Sequence, residues 1–146
     1  MPERLGFTGA RQGMTREQLA TLRIVLRKHA GWWLSHGDCV GADEQLHHVA
    51  RGLGFDDDSI WVHPPEDDRL RAFCEAPPGR IFRPRFYKIR NMEIVDLCAR
   101  LVAAPAEASE QRRGGTWFTV RYARKLGRPI KIILPNGRVR NEGWPV

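Results

Sequence analysis

Leu5-Gly6-Phe7-Thr8-Gly9-Ala10-Arg11-Gln12-Gly13 decides the fold: an apolar start breaks into a glycine-punctuated loop, and Thr15-Arg16-Glu17-Gln18 follows almost at once. Residues 5–7 read as a buried strand. Thr15 and Gln18 hold the positions of a capping box, and Leu19, Leu22, Ile24, Val25 and Leu26 supply the apolar stripe of a helix over 15–29. Outward from this unit the alternation repeats. Apolar runs at 32–34, 60–62, 101–104 and 130–134 predict further strands, and stripes at 42–53, 87–99 and 116–126 predict further helices. Strands alternating with helices are joined by crossovers. The expected fold is therefore α/β, a Rossmann-like three-layer domain with a mainly parallel sheet of about five or more strands. Asn136-Gly137 is a turn signal that predicts a short hairpin or closing arm at the tail.

The 146 residues, 42% hydrophobic and 28% charged, suit one domain over 1–146. No apolar run reaches the roughly 18 residues of a membrane helix, and no secretory leader pattern opens the chain, so a cytoplasmic protein without a membrane partner is expected. Cys39, Cys74 and Cys98 are an odd number at wide spacing and are expected as free thiols. Charge is uneven: residues 1–75 hold nine Lys/Arg against twelve Asp/Glu, and residues 76–146 hold fifteen against five. The cationic second half suits an anionic partner such as a nucleotide, a nucleic acid or a phosphorylated metabolite; the alternative is a solvated arginine-rich surface.

Ligands of such sheets sit beyond the carboxyl ends of the strands, which directs attention to loops 8–14, 35–43, 63–85 and 105–115. In the first, Gly9 and Gly13 admit a ligand, Thr8 offers a hydroxyl and Arg11 a guanidinium fork, either as a phosphate cradle or merely as a tight strand-to-helix turn. Neither GxGxxG nor a Walker A loop is present, and no cofactor is implied. In the second, Asp38 and Asp43 suit ribose hydroxyls or a carboxylate pair at a glycosidic carbon, with Gly37 and Gly41 giving access. Asp43 equally suits a helix-start acid. A zinc set of His36, Cys39, His47 and His48 matches no usual ligand spacing, so no metal site is expected. The third loop, rich in proline and arginine, reads as a lid or arm. In the fourth, Gly114-Gly115-Thr116-Trp117 opens the last helix, whose free N–H groups and Thr116 hydroxyl make an anion site beside Arg112 and Arg113.

The order Gly6-Phe7-Thr8-Gly9-Ala10-Arg11, His36-Gly37-Asp38-Cys39-Val40-Gly41-Ala42-Asp43, His63-Pro64-Pro65, Arg90-Asn91 and Gly114-Gly115-Thr116-Trp117 resembles the SLOG superfamily, in particular its YpsA-related branch. That superfamily also holds the LOG ("lonely guy") hydrolases and the DNA-processing protein A domain. The resemblance spans nearly the whole chain and implies a Rossmann-like domain binding a nucleotide or nucleotide-derived ligand, as a sensor or otherwise. LOG enzymes release a base from a nucleoside 5′-monophosphate, using a helix arginine and a glutamate three residues after the threonine of a GT pair. Arg90 and Gly115-Thr116 match that pattern, whereas Thr119 stands at the glutamate's place and residues 106–113 lengthen the loop. Asp43, Glu93 or Glu110 is then the candidate replacement carboxylate. Without the resemblance, Arg90 reads as a surface charge paired with Glu93.

Three functions follow. The first is nucleotide binding through Thr8, Gly9, Arg11, Gly37, Asp38, Gly41, Arg90, Asn91, Gly114, Gly115 and Thr116. The second is N-glycosidic hydrolysis in the same pocket. The third is binding of single-stranded nucleic acid along Arg80, Phe82, Arg83, Arg85, Phe86, Tyr87 and Lys88. Trp32, Trp33 and Trp61 are expected in the core or a subunit interface, and Trp117 as a stacking platform for a base. SLOG relatives commonly assemble, so a homo-oligomer is expected.

Overall fold

Thr15 Oγ1 accepts the Gln18 N–H at 3.0 Å and Gln18 Oε1 accepts the Thr15 N–H at 2.9 Å, which closes the capping box of helix α1 (Arg16–Lys28). The buried Gln18 amide also donates to the carbonyls of Pro105 and Ile133, tying the start of α1 to the ends of two strands. A computed structural model describes residues 2–145. The remaining elements are strands β1 (Arg4–Gly9), β2 (Trp33–His36), β3 (Ile60–Val62), β4 (Arg100–Ala104), β5 (Ile130–Ile133) and β6 (Val139–Glu142), with helices α2 (Ala42–Gly52), α3 (Tyr87–Leu97) and α4 (Gly115–Lys125).

The sheet runs β3-β2-β1-β4-β5-β6. All neighbours are parallel except β5 and β6, the hairpin announced by Asn136-Gly137. Side chains alternate across it as the period of two requires. Leu5, Phe7, Leu34, Val102 and Ala104 pack on α1 and α2. Leu101, Ala103, Ile130 and Ile132 pack on α3 and on Trp117, Val120 and Ala123 of α4. Each aliphatic side chain enclosed here contributes about 1.5–3 kcal/mol. Gly6 keeps α3 close, because a methyl group there would stand 3.0 Å from Ile94 Cγ2.

Among the described residues no α-helix covers β2 and β3 on the α3/α4 side. Residues 63–85 do so instead. The Phe82 N–H donates to the Val62 carbonyl at 2.8 Å, and the Phe82 ring stacks on His63 at 4.1 Å. Arg4 and Arg80 lie over Trp61 at 4.7 and 4.4 Å, and Trp61 meets Trp33. The expected lid or arm is thus a packed cover. Arg80, Phe82 and Arg85 hold it down, which leaves Arg83, Phe86, Tyr87 and Lys88 of the predicted nucleic-acid track with outward or cleft-facing roles. Among the described residues no helix is long and apolar enough to cross a membrane.

Candidate functional site

Strand order reverses between β1 and β4, and the two connections leave for opposite faces, which opens a crevice at their carboxyl ends. A cavity of about 510 Å³ fills it, lined among others by Thr8, Gly9, Arg11, Asn91, Gly115 and Thr116. The glycine loops build its floor by close packing. A Cβ on Gly9 would stand 2.5 Å from that of Ala42, and the Ala42 N–H donates to the Ala10 carbonyl at 3.0 Å. Gly41, with φ at 98°, leaves no room for a side chain, because a Cβ would overlap the Arg11 carbonyl oxygen; it supports the cradle from behind rather than lining it.

Arg90 is only 5% exposed, and every guanidinium nitrogen has a partner within the chain. Nη1 donates to the carbonyls of Gly37 and His63, Nη2 to Cys39 Sγ, and Nε to Asn91 Oδ1 at 2.7 Å. It clamps the ends of β2 and β3. Asp43 faces this guanidinium across Gly37, where any side chain would collide with both. Burial raises the Asp43 carboxyl to about 6, against the opposing pull of Arg90 and of the Cys39 N–H that Oδ2 accepts at 3.2 Å.

Helix α4 begins without a side-chain cap, at Gly114 with φ 101°. Its first-turn N–H groups therefore point at the cavity unclaimed by any cap. Arg11 and Arg113 line the same cavity and form no ion pair among the described residues. Thr119, at the place of the hydrolases' glutamate, donates its hydroxyl to the Gly115 carbonyl at 2.6 Å. Trp117 is 1% exposed and spends its N–H on Glu107, so its ring is closed to a base; half-buried Tyr87 is the open aromatic of the lining.

The structure does not bring the remaining predicted residues to the cavity. Asp38 is enclosed, with one carboxylate oxygen accepting from Arg71 Nε and the other from the Cys74 N–H, both at 2.9 Å. It fastens the cover. Glu93 turns away to His63 Nδ1 and Arg85, and Glu110 is exposed and paired with Arg124. Of the three candidate carboxylates only Asp43 lines the cavity. Glu107, unmarked by any motif, lines it too.

His36 and His47 do converge, but with Cys74 rather than Cys39 or His48, their donor atoms within 4.8 Å of one another. The Asp38 N–H donates to His36 Nδ1 at 3.0 Å, so the neutral ring carries its proton on Nε2 and donates it to His47 Nδ1 at 2.9 Å. Burial holds both imidazoles below their ordinary value. The cluster is a directed hydrogen-bond chain, and a metal on His36 Nε2 would have to displace that proton.

Burial pushes His63 down to about 4 although Glu93 accepts from Nδ1 at 2.7 Å, because enclosing an imidazolium outweighs the carboxylate's attraction. A histidine held neutral in the fold, and ionising near 6.5 when unfolded, contributes stability that is complete above 6.5 and lost as pH falls towards 4. Asp43 works oppositely, its stabilising protonation being lost as pH rises through about 6. The diagnostic is therefore the difference between wild type and His63→Gln: unfolding midpoints should converge between pH 7 and 4. Parallel curves would assign acid lability to another group.

No family model matches the chain, and no curated protein matches it in sequence. Solved structures share its fold. The molybdenum cofactor binding protein of the phototrophic bacterium Rippkaea orientalis superposes with a TM-score of 0.67 at 16% identity, covering 92% of this chain and 77% of its own. The protein TM1055 gives 0.62 at 14% identity, covering 88% and 72%. DNA processing protein A of Streptococcus pneumoniae gives 0.62 at 14% identity, covering 90% of this chain and 50% of its own. They share the Rossmann-like, three-layer α/β fold expected from the alternation of strands and helices in the sequence.

Proposed function

We propose that the chain binds a nucleotide or nucleotide-derived ligand in the cleft between β1 and β4. One observation carries this reading: the uncapped N-terminus of α4 faces, across one cavity, a glycine loop bearing Thr8 and Arg11, and of the three arginines in the lining Arg11 and Arg113 form no ion pair among the described residues. Phosphate is the group that such donors and charges hold best. Tyr87 then offers the ring for a base. Solved neighbours described as binding a cofactor or processing DNA fit a cleft for phosphorylated ligands.

The test is thermal shift against nucleoside mono-, di- and triphosphates, NAD and ADP-ribose, with released base read on the same samples. Stabilisation without released base, lost in Arg11→Ala and Thr116→Ala, is the expected result. No shift with any of them overturns the reading.

Hydrolysis is the second reading, favoured by the proton that Asp43 holds up to about 6 inside the cavity wall. It requires released base that disappears in Asp43→Asn.

A further inference from the structure

Residues 106–113 read in the sequence as a polar insertion, yet the structure straps them to α4. Arg121 Nη1 donates to the Gln111 carbonyl at 2.7 Å and Nη2 to that of Arg112 at 3.0 Å, while Arg124 Nη2 donates to Glu110 Oε1 at 3.0 Å. At the other end of this loop Glu107 Oε1 accepts the indole N–H of buried Trp117 at 2.9 Å. Trp117 belongs to the first turn of α4, so the Glu107 carboxylate is held beside the start of that helix. Its Oε2 makes no hydrogen bond or ion pair among the described residues, although Glu107 lines the cavity together with Arg11 and Arg113. Asp43, the other acid of the lining, is 7% exposed and already accepts from the Cys39 N–H. Asp38, suited by type to ribose hydroxyls, is enclosed under the cover.

A fixed carboxylate in a cleft for anions repels its ligand unless the ligand brings hydrogen-bond donors to meet it. In a nucleotide the donors nearest the 5′-phosphate are the 2′ and 3′ hydroxyls of ribose; the N–H groups of a base edge lie beyond the sugar. Resting on the nucleotide-binding reading above, we propose that Glu107 is the sugar-determining residue of the site, its free Oε2 accepting from the vicinal ribose hydroxyls. The ligand class is a ribonucleotide, and the discrimination is against the same nucleotide without those hydroxyls. Trp117 is a positioning residue. Closed to the base, it fixes the carboxylate through Oε1 before a ligand arrives, which lowers the ordering cost of binding. The straps from Arg121 and Arg124 do the same for the loop backbone.

Calorimetric titration at fixed pH and salt uses the four common ribonucleoside 5′-monophosphates and their 2′,3′-dideoxy counterparts as probes. The readout is the ratio of the two affinities for one base, which cancels any change in phosphate binding and isolates the sugar. Wild type should favour the ribonucleotide by about tenfold or more, the worth of a hydrogen bond to a charged group. Glu107→Gln keeps an acceptor for Trp117 and should hold the unfolding midpoint near wild type while the ratio falls to about threefold or less. Glu107→Ala, which orphans the indole N–H and lowers the midpoint, should bring the ratio to about one. A ratio below about threefold in wild type, or one that survives in both variants, overturns the role of Glu107 and leaves nucleotide binding standing; a lowered midpoint alone would mean that Glu107 only satisfies Trp117. Wild type that binds none of the eight probes overturns the role of Glu107, and the nucleotide reading falls with it if NAD, ADP-ribose and the di- and triphosphates also give no thermal shift.

Discussion

Arg90→Ala should destabilise the chain by about 3–5 kcal/mol, the usual cost of removing one partner from a buried, fully hydrogen-bonded charge site. The carbonyls of Gly37 and His63 and the Asn91 Oδ1 lose their donor together, and Asp43 loses the positive charge that favours its ionised form. Equilibrium denaturant unfolding measures this. Arg90→Lys should recover little, because an ammonium group cannot bond two strand ends and an amide from one planar fork. A loss below about 1 kcal/mol would mean that the two strand ends find other donors and that the clamp is dispensable.

Gly41→Ala is expected to cost more than about 3 kcal/mol, combining a φ of 98° with direct overlap between the new methyl group and the Arg11 carbonyl. Gly54 separates the two causes. It has nearly the same φ, 97°, but open space around it, so Gly54→Ala should show backbone strain alone, about 1–2 kcal/mol. If both variants lose equal stability, the contact between the two glycine loops contributes nothing. If Gly41→Ala also folds but no longer shifts with a nucleotide that stabilises wild type, the displaced Arg11 loop is the reason.

The layers were legible because period and punctuation agree. Strand Ile60–Val62 lies where the apolar run predicts it, and the capping box at Thr15 forms as written. The loops of the cleft floor were legible too, since Gly9 and Gly115-Thr116 follow predicted strands at their carboxyl ends and line the cavity, whereas the strand order that brings them together was not written in the alternation. Side-chain direction was not. Asp38 and Asp43 stand five positions apart, yet Asp38, with φ at 52°, is enclosed under the cover against Arg71 while Asp43 lines the cavity. Glu93 is drawn to His63, a residue thirty positions away whose approach depends on the whole cover. Helix α3 hid its role because apolar residues lie all round it: Ile94 and Val95 are buried while Ile89 and Leu97 are exposed.

Neither rim of the sheet, among the described residues, presents a long apolar edge. At one, the three-residue β3 is bridged by Ile81 of the cover; at the other, the hairpin ends in β6, whose Arg140, Asn141 and Glu142 are charged or polar. Open edges are where folded chains recruit one another into continuous sheets. This chain offers none among its described residues that is long and apolar, which disfavours strand-by-strand aggregation. A second copy seeking a strand to extend would meet, at β6, a row of charged and polar side chains that must be desolvated first.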